Sequence, residues 1–154
     1  MRDPCIALGP DGLYHMVWTV GWWEQGIGYA HSPDLVNWSE QRYIPVMEHE
    51  PEAQNCWAPE LFYDEAKGHW LIFWATTIPG RFPDTKGEPD ERNHRMYYVT
   101  TRDFETFTEA KLLYEHGFSV IDASIYKAPE VPAAKGAFVM FLKDETERPA
   151  EKNI

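Results

Sequence analysis

The sequence has little cysteine, few basic residues and no long apolar run. Its 154 residues include two cysteines, Cys5 and Cys56, whose number and spacing fit neither a disulfide framework nor a metal site. With 14 Lys and Arg against 25 Asp and Glu, it has no basic surface for nucleic acid or an anionic membrane. No run approaches membrane-spanning length, and no n-region or h-region precedes Arg2, so we expect no signal peptide in this chain. We therefore expect neither nucleic acid nor membrane as a partner.

Sustained helical periodicity is also missing, and short strand-like segments take its place. In residues 14–19 (YHMVWT), apolar side chains alternate between two faces, as in a strand. Residues 70–75 (WLIFWA) and 137–142 (AFVMFL) are apolar throughout, which is typical of strands covered on both faces. Aromatic residues, which favour strands, make up 15% of the chain. These patterns predict an all-β protein.

Two kinds of unit repeat along the chain. Residues 26–40 (GIGYAHSPDLVNWSE) and 95–109 (RMYYVTTRDFETFTE) align at an offset of 69, which pairs Asp34 with Asp103. A second unit, an apolar segment followed by a turn and a strand, occurs three times and aligns Asp3, Ala58 and Asp122. Repeated hairpins of this kind indicate a β-propeller rather than a sandwich. We expect blades at about residues 3–45 and 55–115, and part of a third at about 118–154.

The repeat position of the acids predicts a catalytic site. Innermost strands of a propeller begin near its axis, so equivalent positions of different blades converge there. Asp3 and Asp122 would then face one pocket, with Glu60 entering from the second unit, shifted by two residues. Carboxylates around a pocket are the groups that glycoside hydrolysis requires. An isolated Asp-Pro is usually only a turn former, but a repeat does not itself require the acids.

Three further residues are candidate substrate contacts, each with a structural alternative. Trp22, in the loop GWWEQG, would present an indole face to a sugar or pack against a neighbouring blade. Lys143, at the end of AFVMFL, would pair with the acids, bind hydroxyls or lie in a solvated turn. Arg81 belongs to a polar loop, residues 79–93, and loops carry much of substrate specificity.

The segments RDPCI, WAPELFYD and VIDASIYK, with GIGYAHSPDLVNWSE between the first two, resemble glycoside hydrolase family 43. The resemblance implies a five-bladed propeller that hydrolyses arabinose- or xylose-containing glycans with inversion. It makes Asp3 the general base and Asp122 the acid that tunes the pKa of the general acid and orients it. Trp57 and Glu60 would lie in the pocket wall. The family's general acid belongs to a fourth blade, so we expect an N-terminal fragment of a larger enzyme that, alone, hydrolyses arabinosides or xylosides very slowly or not at all.

Other functions stay open. The segment YAHSPDLVNWSE also resembles the related clan of invertases and fructanases, although that clan's Asn-Asp-Pro motif is missing from this chain. A sugar-binding propeller without catalysis is the second alternative. A protein-interaction propeller is disfavoured because its blades are usually shorter, about 40–45 residues.

The resemblance also bears on cofactors and surroundings. We expect no cofactor in this chain, although a complete propeller of the family would hold a structural calcium on its axis. The expected partner is an oligosaccharide or polysaccharide substrate. Blade faces left uncovered would promote self-association. The parent enzyme is expected to be secreted or periplasmic.

Overall fold

The computed structural model describes residues 1–85, 89–128 and 138–146, and their regular structure is almost entirely β-strand. One 3-10 turn, Asp90–Arg92, is the exception within these ranges. None of the described residues forms a helix long and apolar enough to cross a membrane. The strands are β1 Arg2–Leu8, β2 Tyr14–Thr19, β3 Ile27–Ser32, β4 Arg42–Ile44, β5 Trp57–Asp64, β6 His69–Thr77, β7 His94–Thr101, β8 Lys111–Tyr114, β9 Val120–Lys127 and β10 Phe138–Asp144.

The strands form three antiparallel sheets that follow one another along the chain. The first has the order β1-β2-β3-β4, the second β5-β6-β7-β8, and the third contains β9 and β10. Strand β5 packs against β1 and β2, and β9 packs against β5, β6 and β7. The innermost strand of each sheet therefore lies beside that of the next. This arrangement confirms the predicted all-β propeller architecture, and each sheet is one blade.

The loops after β3 and β7 have the same local structure. The carboxylates of Asp34 and Asp103 each accept two backbone N–H groups at 2.7–2.9 Å. These backbone hydrogen bonds lower the pKa of both acids to about 2. The next residues, Leu35 and Phe104, both have positive φ, 65° and 56°. The repeat at an offset of 69 residues is therefore a repeat of structure.

The central strand β6 joins two of the three hydrophobic cores formed by the described residues. Trp70, Ile72 and Trp74 pack into the core between the first and second blades. Phe73 and Ala75 point to the opposite face and pack into the core between the second and third blades. Full burial of such side chains stabilises the fold by roughly 1.5–3 kcal/mol each. The prediction that WLIFWA is covered on both faces is confirmed.

Strand β10 differs from its prediction. Met140 and Leu142 pack against the second core, but Phe141 remains 50% exposed, and Tyr126 of β9 remains 62% exposed. The expectation that AFVMFL is covered on both faces is therefore wrong for the described residues. Apolar sequence alone does not show whether a second sheet packs against a strand, and here no described sheet covers this face.

Candidate active site

Each innermost strand begins with the same backbone distortion. Asp3, Ala58 and Asp122 have φ values of 47°, 46° and 51°. The pairing register shifts across Arg2–Cys5 and across Trp57–Glu60, and the third blade has a shift at the corresponding place. A non-glycine residue at positive φ costs about 1–3 kcal/mol, and such residues cluster at functional sites. A β-bulge of this kind redirects a side chain.

Asp3 and Asp122 line one depression at the ends of the inner strands. Its volume is about 480 Å³. The structure therefore brings the two acids together, as their shared repeat position predicts, while their catalytic roles stay predictions. The other lining residues are Arg2, Thr19, Trp22, Trp57, Ala58, Ile121 and Glu145.

Thr19 positions Asp3, and no sequence pattern indicates this role. The backbone N–H of Ala58 donates to Thr19 Oγ1 at 2.9 Å, and the Thr19 hydroxyl donates to Asp3 Oδ2 at 3.1 Å. Thr19 is 2% exposed, so water competes little for these hydrogen bonds. The chain of hydrogen bonds fixes the carboxylate of the first blade to the backbone of the second.

Lys143 links two carboxylates at the other side of the depression. Its Nζ lies 3.5 Å from Asp122 Oδ2 and 3.0 Å from Glu145 Oε2. Burial disfavours the ammonium group, but the hydrogen bond and charge of Glu145, followed by those of Asp122, outweigh it and raise the pKa of Lys143. Lys143 is not itself among the lining residues. Of the three alternatives considered for Lys143, the structure shows an ion pair with the acids, here Asp122 and Glu145.

Two tryptophans form an aromatic wall. The rings of Trp22 and Trp57 meet edge to face with centroids 5.2 Å apart, and Trp57 Nε1–H donates to the Trp22 carbonyl at 2.9 Å. The guanidinium of Arg2 lies 4.2 Å from the Trp22 ring centroid. Behind the wall, Trp57 packs on fully buried His94 with centroids 4.7 Å apart. Burial lowers the pKa of His94 to about 4, so a neutral imidazole supports the wall at neutral pH.

Glu60 does not line the depression, although the family resemblance implies a place in the pocket wall. The position equivalent to Asp3 belongs to Ala58, and Glu60 follows two residues later. Its Oε2 accepts a hydrogen bond from the Cys5 thiol at 3.5 Å, between the first two blades. Burial raises the pKa of Glu60. The pKa of Cys5 is raised to about 12, mainly by burial of the thiol and next by the negative charge of Glu60. The carboxyl group therefore belongs to an interface between blades.

Arg81 is also placed elsewhere. Its guanidinium makes a bidentate ion pair with Glu50, with both N–O distances 2.7 Å. The hydrogen bonds and charge of Arg81 lower the pKa of Glu50. Arg81 is not among the residues that line the depression. The structure thus places Arg81 in an ion pair that fastens one loop to another, rather than at the depression where Asp3 and Asp122 meet.

The part of the chain that the structure describes contains no group of three or more His, Cys, Asp or Glu side chains arranged to hold a metal ion. The calcium of a complete propeller stays a prediction.

Convergent carboxylates at the inner ends of propeller blades are an arrangement suited to glycoside hydrolysis. The chain belongs to the family related to glycoside hydrolase family 43 that is described as "Probable glycosyl hydrolase domain", whose model matches residues 1–153. The predicted resemblance is thereby confirmed.

Named relatives agree with this membership. The chain is 26% identical, over 168 aligned residues, to an alpha-L-arabinofuranosidase of Bifidobacterium longum subsp. longum, covering 94% of this chain and 15% of that protein. The structure of an alpha-L-arabinofuranosidase from Lactobacillus brevis superimposes with a TM-score of 0.63 at 24% identity, covering 99% of this chain and 51% of the other. The structure of a glycoside hydrolase of family 32 from Bifidobacterium adolescentis superimposes with a TM-score of 0.68 at 15% identity. The match covers 94% of this chain and 26% of the other. The two structures show the shared fold, and the chain spans about half or less of each relative.

Proposed function

We propose that this chain carries part of the active site of a glycoside hydrolase that cleaves arabinose- or xylose-containing glycans with inversion. The observation that supports the proposal most strongly is the placement of Asp3 and Asp122 at equivalent bulges, facing one depression. Ala58 occupies the same bulge of the second blade without an acid. The fold therefore tolerates a residue without a carboxylate at this position, and the two acids are explained by chemistry.

Asp3 acts as the general base. An inverting hydrolase holds water on a base at one side of the scissile bond and a proton donor on the other, with the carboxyl groups roughly 6.5–9.5 Å apart. The Thr19 hydroxyl donates a hydrogen bond to Asp3 Oδ2, and this bond orients the carboxylate. A water on the remaining oxygen would be aimed into the depression.

Asp122 acts as the residue that orients the general acid and tunes its pKa. Lys143 holds Asp122 from one side, and this contact limits the directions in which the carboxylate can turn. By the family resemblance, the proton donor would belong to a fourth blade. Trp22 and Trp57 provide apolar ring faces and edges against which a sugar packs.

The named relatives give the proposal its substrate class. Two of them are alpha-L-arabinofuranosidases, so arabinofuranosides are the first substrates to test, with xylosides second. An aryl arabinofuranoside is the most sensitive choice because its leaving group needs little protonation. The chain should hydrolyse it slowly, and natural arabino- or xylo-oligosaccharides more slowly still.

The stereochemistry of the product tests the proposed mechanism. During hydrolysis of 4-nitrophenyl α-L-arabinofuranoside, proton NMR should detect the β-anomer of arabinose before mutarotation. Arg81→Ala is a matched control, because Arg81 pairs with Glu50 away from the depression, and it should give the same anomer at the same rate. Release of the α-anomer first would contradict inversion.

A fructan or sucrose hydrolase is the second candidate. The resemblance of the segment YAHSPDLVNWSE to the clan of invertases and fructanases favours it. Release of fructose from sucrose or inulin, with no action on arabinofuranosides, would select it. Binding of these sugars with no hydrolysis of any of them would instead select a sugar-binding propeller without catalysis.

A further inference from the structure

A second hollow lies beside the depression, at the outer side of the first blade. Its volume is about 580 Å³, and we call it the Trp23 groove. It is formed by the loop after β2, strand β4 and the loops before β5 and β7. Its principal lining residues are Trp23, Glu24, Tyr43, Gln54 and Glu91.

Two exposed aromatic rings line the Trp23 groove. Trp23 is 60% exposed and Tyr43 is 50% exposed. The Tyr43 ring lies directly against the backbone at Gly26, where an added Cβ would approach its Cζ to 2.5 Å. Only glycine at position 26 leaves room for the ring in this place. The Tyr43 ring is therefore held against the backbone, and both exposed rings offer apolar surface to a ligand, beside a polar edge.

The polar atoms of the Trp23 groove are mainly hydrogen-bond acceptors. The carboxylates of Glu24 and Glu91 are exposed along it. Gln54 is fixed by its backbone N–H, which donates to the Thr77 carbonyl at 3.0 Å. Its side-chain Oε1 is buried and has no hydrogen-bond partner among the described residues. The exposed carboxylates are acceptors, so a ligand with hydroxyl donors fits this lining.

The Trp23 groove adjoins the depression through one aromatic cluster. The rings of Trp22 and Trp23 contact the same Trp57 ring, with centroid distances of 5.2 and 6.0 Å. Trp22 and Trp57 line the depression, and Trp23 lines the groove. A chain of sugars that leaves the depression along this wall would therefore enter the groove.

We propose that the Trp23 groove is an accessory subsite that binds a further sugar unit of the same glycan. Exposed rings with surrounding acceptors suit a neutral sugar, whose apolar faces pack on the rings and whose hydroxyls donate to the acceptors. The inference rests on the proposed function, because the glycan is the proposed substrate. It gives the protein a preference for oligosaccharides over monosaccharide glycosides.

Calorimetric titration of the 154-residue chain with short and long probes tests the subsite. The short probes are the methyl glycosides of α-L-arabinofuranose and β-D-xylose, and the long probes are the hexasaccharides of 1,5-arabinan and 1,4-xylan. Loss of one aromatic contact is expected to weaken binding about threefold to tenfold. Trp23→Ala should show this loss for a hexasaccharide and none for the methyl glycoside. Trp23→Phe should restore most of the affinity, and Trp22→Ala should weaken both kinds of probe.

The outcomes separate the subsite from the proposed function. Unchanged hexasaccharide binding in Trp23→Ala, with normal binding of the short probe, would overturn the subsite and leave the proposed function standing. Equal weakening of short and long probes would also overturn it, because Trp23 would then act on the depression. Failure of the unmodified chain to bind any of the four probes would overturn both.

Discussion

Replacement of Thr19 by valine should detach Asp3 from the second blade. The substitution preserves side-chain shape but removes the hydroxyl that accepts from Ala58 N–H at 2.9 Å and donates to Asp3 Oδ2 at 3.1 Å. Thr19 is 2% exposed, so water cannot easily replace it as a partner. A backbone donor left without an acceptor, together with a lost bond to a carboxylate, should lower the free energy of unfolding by about 1–3 kcal/mol.

A double-mutant cycle isolates the part of this loss that involves Asp3. The cycle combines Thr19→Val with Asp3→Ala, and alanine is compatible with the backbone because Ala58 has φ 46° at the equivalent bulge. Urea unfolding followed by tryptophan fluorescence gives the four free energies. We expect a coupling of about 1 kcal/mol, the usual net value of one hydrogen bond.

The matched control uses the acid of the third blade. Asp122 shares no hydrogen bond with Thr19, since its recorded partner is Lys143. Asp122→Ala and Thr19→Val should therefore be additive to within about 0.5 kcal/mol. If the effects of Asp3→Ala and Thr19→Val were also additive, the Thr19 hydroxyl would not position Asp3.

Two further predictions concern pH and association. Asp34 and Asp103 have a folded pKa of about 2, below the ordinary 3.8, so their contribution to stability is complete above pH 4 and is lost as the pH falls towards 2. Asp34→Asn or Asp103→Asn should therefore flatten the loss of stability that urea unfolding measures between pH 4 and pH 2. An unchanged slope would contradict the loop assignment. Phe141 and Tyr126 leave an apolar face exposed, so sedimentation velocity should show that the chain associates. The double variant Phe141→Ser and Tyr126→Ser should associate less. A monomer both before and after the two changes would contradict association through this face.

The sequence was most informative where it repeats. Alternation along YHMVWT and the continuous apolar run of WLIFWA predicted strand faces that the cores confirm. Alignment of the repeats placed Asp3, Ala58 and Asp122 at one position, and all three have the same unusual φ. The meeting of the two acids could therefore be predicted, because a fold built of repeats brings equivalent positions together.

The missed features depend on contacts between distant residues. Glu60 was expected at the pocket because it is acidic and close to Ala58, but side chains on either side of a bulge differ in direction, and Glu60 reaches Cys5 instead. Arg81 forms an ion pair with Glu50, which lies 31 residues away in the sequence. Thr19 has no recognisable motif, and its role depends on the approach of β5 to the end of β2. Such pairings follow from blade packing, which local sequence does not encode.

The most direct test of the active site is the rate of hydrolysis of 4-nitrophenyl α-L-arabinofuranoside by Asp3→Asn, beside the unmodified chain and the Arg81→Ala control. The amide cannot accept a proton from water, and a good leaving group does not replace that step. We expect Asp3→Asn to lose hydrolysis by roughly 10²–10⁴-fold, the usual contribution of a general base, while Arg81→Ala keeps the rate of the unmodified chain. A measurable rate of the unmodified chain that Asp3→Asn retains in full would contradict the assignment of Asp3 as the base.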